Sequence, residues 1–185
     1  MTLRTERLEL SPPRMSDVDA IYDACQDADT QRYTTVPSPY ERHHAEEFIP
    51  RVAAQWDEGV HLTWAMREGD VLVGTIGLYR LDGAGAGELG YWVSPRSRRR
   101  GFVTEASRAV LDWGFAADGA DLRRIEWRAV VGNVASARSA RAVGFRYEGL
   151  LREGISGKSG RVDCWIAGVL RSDDRAAQPW PVGTA

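Results

Sequence analysis

ELGYWVSPRSRRRGFVTEA, residues 88–106, is the stretch that decides the fold. Its first six residues alternate as a strand does and stop at Ser94-Pro95. A basic segment, residues 96–100, leads to Gly101, and a helix follows at once: Val103, Ala106, Val110, Leu111 and Gly114 repeat at helical spacing and form one apolar face. The first turn of a helix has backbone N–H groups without intrahelical partners, and the helix dipole places partial positive charge there. A diphosphate fits such a site. Gly101 permits a positive φ and close approach of a ligand to the backbone, while Arg98, Arg99 and Arg100 add charge. The same residues also suit a solvated basic turn. They are not a Walker loop, because no Gly-Lys-Ser/Thr follows, and the three-glycine spacing of a dinucleotide fingerprint is missing.

Downstream, residues 124–130 read as a strand with Ile125, Trp127 and Ala129 on one side. Asn133 can cap a short helix to Val143, Gly144 stands where a left-handed C-terminal cap is wanted, and strands at 147–151 and 162–170 follow. Upstream, Leu8 and Leu10 mark a first strand and Ser16 a helix N-cap, with Asp17 and Asp19 in the first turn. Residues 31–40 read as a loop, 41–56 as a second helix, and 61–67 and 71–79 as strands. The helix from Val103 joins the strand ending at Val93 to the strand from Arg124, which requires a parallel pair. The expected fold is therefore α/β (α+β): a mixed, mostly antiparallel sheet of seven strands with helices on both faces. One domain over residues 1–172 accounts for the length, and residues 173–185, polar and ending in Pro-Trp-Pro-Val-Gly, read as a flexible tail.

Composition narrows the function classes. Hydrophobic residues make up 43% and charged residues 27%, as in an ordinary globular protein, and the formal net charge of -2 gives no overall pull toward nucleic acid or anionic membrane. No run is long enough to span a bilayer, and residues 1–11 do not form a signal peptide. Cys25 and Cys164 read as buried free thiols in a reducing cytosol. His43 and His44 are adjacent on a helix and point different ways, so no metal site is expected.

At this point the chain resembles the GNAT superfamily of N-acetyltransferases, and within it the RimJ/RimL-like branch that acetylates ribosomal-protein N-termini. The resemblance runs over residues 5–169. It is carried by Thr5-Glu6-Arg7-Leu8 with Leu10, by Asp17 with Asp19-Ala20, and by residues 89–93 with Pro95, Arg98, Gly101, Thr104, Glu105 and Ala106. Asn133 and Ser136 followed by Gly144-Phe145 and Glu148-Gly149 complete it. The chain departs from the family pattern at Arg99 and Val103, where smaller residues are usual, and at Ala140, where many members carry a tyrosine that protonates the leaving thiolate.

The resemblance implies a GNAT fold with a splayed central parallel strand pair, acetyl-CoA as cosubstrate, no metal, and a cytoplasmic enzyme acting on a primary amine. It implies coenzyme contacts from Tyr91, Trp92 and Val93, from Arg98, Arg99, Arg100, Gly101, Phe102, Val103 and Thr104, and from Asn133 and Ser136. Val93 would supply the N–H that polarises the thioester carbonyl, and Ser136 would hydrogen-bond the coenzyme sulfur. Glu88, on one strand face with Gly90 and Trp92, is the candidate base, with Glu153 and Asp163 as alternatives; an exposed strand-start glutamate is the plain alternative role for Glu88. Tyr33, Tyr40 and Trp56 are candidates for an acceptor pocket or for the core. The acceptor is a protein N-terminus or a small-molecule amine, a non-catalytic acyl-CoA-binding module is the contrasting class, and a homodimer stays open. Neither membrane nor direct nucleic-acid partners are expected.

Overall fold

The computed structural model describes residues 1–182. Its strands are β1 (Leu3–Arg4), β2 (Glu9–Ser11), β3 (Leu62–Glu68), β4 (Val71–Tyr79), β5 (Ala86–Val93), β6 (Arg124–Val130), β7 (Arg146–Gly157) and β8 (Gly160–Leu170). Its helices are α1 (Val18–Cys25), α2 (Ala28–Tyr33), α3 (Arg42–Glu58), α4 (Phe102–Phe115) and α5 (Val134–Ala142). The strands form one eight-stranded sheet in the order β1-β2-β3-β4-β5-β6-β8-β7. β5 and β6 are parallel, and the other neighbours are antiparallel. The mixed fold is as expected; the strand missed by the count of seven is β1, whose two residues are too few to show an alternation.

Helices cover both faces because the strands alternate. Leu62, Trp64 and Met66 of β3 join the cluster containing Phe102, Ala106, Val110 and Leu111 of α4. Ala65, between them, joins Val18, Ile21, Ala45 and Ile49 of α1 and α3 on the opposite face. β2 pairs only with Ala65–Arg67, so the other half of β3 is an edge. Trp56, at the end of α3, closes it: the indole Nε1–H donates to the Thr63 carbonyl at 3.0 Å, and the ring stands edge-on to Trp64.

One charged pair is buried between α1 and the sheet. Arg67 donates to both oxygens of Asp17 at 2.8 Å, and also to Ser11 Oγ and the Pro12 carbonyl, while the Arg14 amide donates to Asp17 Oδ2 at 2.6 Å. The position before α1 is therefore decided by a long-range ion pair as well as by the helix dipole. Ser16 lies inside a short 3-10 turn, Met15–Asp17, and is not the cap.

Other departures from the sequence reading are local. Residues 28–33 form α2, capped by Asp27, whose side chain accepts from the Thr30 amide at 2.8 Å. β7 and β8 run on past the expected ends into one long hairpin. The tail is docked through its described part: Trp180 is 4% exposed, its Nε1–H donates to the Phe145 carbonyl at 3.0 Å, and its ring packs on Trp127 and Tyr147. Residues 183–185 of the expected tail lie outside the described residues.

Asp17→Ala is expected to lower unfolding stability by about 3–5 kcal/mol, because it strands a buried guanidinium. Asp19→Ala, whose carboxylate is exposed, should leave the denaturation midpoint nearly unchanged; urea unfolding followed by circular dichroism reads both.

Candidate active site

β5 and β6 part company early. Their register runs only through Ala86–Arg124, Gly87–Ile125 and Glu88–Glu126. Yet β5 stays paired with β4 to Val93, and β6 with β8 to Val130. Beyond Glu88 a wedge opens whose β5 wall is an unpaired strand edge. The Ser94 amide donates to the Val73 carbonyl of β4 at 2.9 Å. Backbone groups of successive strand residues point to opposite sides, so Leu89, Tyr91 and Val93 direct theirs toward β6; the Glu88–Glu126 bridge engages the Leu89 amide, and those of Tyr91 and Val93 face the wedge. Trp92, expected to contribute there, has its backbone turned to β4, where it pairs with Thr75, and its side chain packs beside the α1–α3 cluster.

At the mouth of the wedge the chain turns through a 3-10 segment, Pro95–Ser97, and enters α4 from Gly101, at φ 81° and ψ 3°. The first i→i−4 bond of α4 runs from the Glu105 amide to the Gly101 carbonyl, 3.1 Å. The amides of Phe102, Val103 and Thr104 therefore precede the ladder, at the positive end of a 14-residue helix. A Cβ built on Gly101 would meet nothing closer than Arg7 Nη2 at 3.5 Å, so the space over this turn is open. The donors and the room both fit a diphosphate.

The arginines of the turn do more anchoring than expected. Arg98 holds the Asp27 carboxylate and Thr30 Oγ1, with Asp29 at 3.7 Å, so it pins the turn to the N-terminus of α2. Arg100 pairs with Glu68 at 2.6 Å and lies over the Phe102 ring, whose side chain is buried. Arg99 is exposed, with φ 61°. Glu105 ties the opening segment to the helix head: it accepts from Thr5 Oγ1, the Arg7 amide and Arg7 Nε at 2.5, 2.9 and 2.7 Å. Burial opposes its charge, but those hydrogen bonds outweigh burial and hold the carboxyl below its ordinary range.

Across the wedge, Ser136 of α5 touches both walls. Its Oγ is 2.9 Å from Tyr91 Oη of β5 and accepts from Trp127 Nε1 of β6 at 3.0 Å. Tyr91 Oη is also 3.2 Å from the Ser136 carbonyl. Ser136, expected to face a sulfur, is thus the centre of a clasp joining β5, β6 and α5. Asn133 caps α5 by accepting from the Ser136 amide at 3.2 Å. Ala140, one turn on, is buried.

On the opposite sheet face, a line of charges crosses the point where the strands divide. Arg80 contacts Glu88 at 3.0 Å, Glu88 lies 3.7 Å from Arg128, and Arg128 meets Glu126 at 2.8 Å. Arg124 then bridges Glu126 at 3.1 Å and Glu148 at 2.6 Å. Burial pushes the Glu88 carboxyl up, against the pull of Arg80 and Arg128, and Glu126 adds to the rise. Glu126 is moved the other way: burial opposes its charge, but hydrogen bonds from Arg128 and Arg124 hold it low. Two neighbouring carboxyls with separated affinities for protons are what acid–base chemistry requires. Glu153 and Asp163 stand elsewhere, exposed on the β7–β8 hairpin, where Asp163 accepts from the Glu153 amide at 2.8 Å.

The candidate pocket aromatics separate. Tyr40 and Trp56 belong to the packed clusters, while Tyr33 is half-buried, its Oη 3.5 Å from the Gly132 carbonyl at the β6–α5 turn. His44 Nδ1 accepts from the Glu41 amide, and among the described residues no group of His, Cys, Asp or Glu could hold a metal ion. No helix among them is long and apolar enough to cross a membrane. The sequence reading missed Arg7, Asp27, Arg128 and Trp180, which have partners distant in the chain that spacing does not reveal, and Glu126, which is held by Arg124 and Arg128 two residues to either side.

Comparison with known proteins agrees with this geometry. The family model for the acetyltransferase (GNAT) domain matches residues 7–146. The uncharacterized N-acetyltransferase YoaA of Bacillus subtilis is 32% identical over 154 residues, covering 82% of this chain and 86% of that protein. The N-acetyltransferase p20 of Bacillus licheniformis is 27% identical over 175 residues, covering 93% and 97%. RimL, a ribosomal L7/L12 alpha-N-protein acetyltransferase solved with coenzyme A, superposes with a TM-score of 0.82 at 18% identity, over 92% of this chain and 98% of its own. The wedge, the open turn at the head of α4 and these matches together establish that the chain belongs to the GNAT family and is an acetyl-CoA-dependent N-acetyltransferase.

Proposed function

We propose that the protein acetylates the N-terminal α-amine of a protein or peptide by direct attack of the amine on acetyl-CoA. The observation that carries the reading is the unpaired β5 edge running into the free amides of α4: a strand-like arm can lie along Leu89, Tyr91 and Val93 while its diphosphate meets Gly101–Thr104. The Val93 N–H, turned into the wedge, is the donor for the thioester carbonyl. A pre-oriented donor of this kind contributes about 3 kcal/mol to transition-state stabilisation.

The amine lone pair attacks the carbonyl carbon, the C–S bond breaks, and an amide and a thiolate result. Glu88 takes the proton that the amine loses. The Tyr91–Ser136 hydroxyl pair, on the α5 side of the wedge, gives a proton to the thiolate in place of the tyrosine that Ala140 replaces, and exchange with solvent then reprotonates the pair and deprotonates Glu88. An α-amine, with an unperturbed pKa of about 8, is partly neutral near pH 7, so one half-buried glutamate suffices; a lysine amine, at about 10, would demand more. RimL, a ribosomal L7/L12 alpha-N-protein acetyltransferase of the same fold, supports the same acceptor class.

Thiol release with a panel of peptides and small amines tests the acceptor: turnover is expected with free peptide N-termini and not with N-blocked peptides, polyamines or aminoglycosides. Gly101→Glu should abolish coenzyme A binding in calorimetric titration while the circular dichroism spectrum stays wild-type. Glu88→Gln should lower kcat/KM about a hundredfold. A base works ionised, and burial raises the Glu88 pKa, so the wild-type acid limb lies above the ordinary glutamate value of about 4.3. That limb should vanish in Glu88→Gln, while the limb from the acceptor amine persists in both enzymes.

A further inference from the structure

We propose that Trp180 is a positioning residue for the wedge: it backs the Tyr91–Ser136–Trp127 clasp and thereby sets the separation of β5 and β6 to which the coenzyme arm binds. The inference rests on the reading of that wedge as the coenzyme site. It concerns a segment beyond residues 7–146, where the family model matches.

The clasp has a single hinge atom. Ser136 Oγ meets a side chain from each wall, Tyr91 at 2.9 Å and Trp127 at 3.0 Å, so a tilt of Trp127 is transmitted directly to the gap. Behind Trp127 stands Trp180, with ring centroids 5.5 Å apart, and Tyr147 flanks it at 5.7 Å. The depth of Trp180 is fixed by its hydrogen bond to the Phe145 carbonyl, the first residue after the α5 cap. The chain leading to it is held at successive points. Arg146 pairs with Asp173 at 3.1 Å, and Arg175 pairs with Asp112 at 2.5 Å and lies over the Phe115 ring. Gly144, at φ 93°, admits the tail: a Cβ there would stand 2.3 Å from the Arg175 Cα. Residues 173–180 thus run as a strap across α4 and the end of α5, and the side chain at its end fills the space behind the β6 wall. Removing a large ring from such a place leaves a void into which neighbours shift only in part, and the neighbour here is the clasp.

The test is coenzyme A affinity by titration calorimetry, with steady-state kinetics alongside. Trp180→Ala should raise the Kd for coenzyme A about tenfold, equivalent to about 1.4 kcal/mol, and the KM for acetyl-CoA in parallel. Trp180→Phe, which keeps a ring in the slot, should recover most of the affinity. In a Ser136→Ala background, where the clasp is already cut, Trp180→Ala should add little. Val18→Ala, a buried substitution on the other sheet face, should lower stability without moving the Kd. Should Trp180→Ala not fold, Trp180→Leu carries the same comparisons. An unchanged Kd, an equal rise in the Ser136→Ala background, or an equal rise in Val18→Ala would each overturn the proposal. Failure of the wild-type protein to bind coenzyme A would overturn the proposed function instead.

Discussion

The rest of the structure depends on an edge left without a partner strand. Backbone N–H and C=O groups inside a protein demand partners, and a strand as central as β5 would ordinarily find them on both sides. Here they are found on both sides only as far as Glu88. Beyond the last bridge, β4 alone satisfies β5, and the amides of Tyr91 and Val93 face a gap. The sheet cannot close it, because β6 is committed to β8 along its full length and α5 is fastened between the walls by Ser136. A permanently open edge beside a helix N-terminus offers hydrogen bonds to an extended amide-bearing arm and positive potential to its phosphates, which is the chemistry of a coenzyme A thioester.

Much of the surrounding charge is engaged in holding this geometry. Arg98 fastens the turn to Asp27 on α2, Arg7 and Glu105 fasten the opening segment to α4, and Arg67 with Asp17 fixes α1 to β3. The turn is therefore braced from several elements, and its open side carries the unpaired amides at the head of α4. That explains how Arg99 and Val103 are accommodated in place of smaller residues: the amides that matter are at Phe102, Val103 and Thr104, and Gly101 alone keeps the approach clear.

The architecture was legible from the sequence wherever periodicity was long. Residues 71–79 form a continuous apolar run and residues 124–130 alternate without interruption, and they form β4 and β6 with those bounds. α4 shows its apolar stripe, and Asn133 and Gly144 mark the ends of α5 as capping chemistry requires. What stayed hidden was short or non-local. The six residues of α2 carry no apolar stripe, and the helix is marked only by the Asp27 cap. Trp180 sits in a polar, proline-flanked segment whose composition resembles a loose end, and only the fold places the Phe145 carbonyl and the Trp127 ring within its reach. At the site, Gly101 and the strand before it could be read from spacing. The division of backbone groups between β4 and the wedge depends on register, so the pairing of Trp92 with Thr75 of β4 could not be read from the sequence.

The most direct measurement of the central claim is a titration of the 15N-labelled protein with coenzyme A, followed by backbone amide resonances. The wedge account predicts that the amides of Tyr91 and Val93, together with those from Gly101 to Thr104, shift first and furthest, while Trp92, paired to β4, moves less. Saturable shifts confined to another surface, with these residues unmoved, would contradict it.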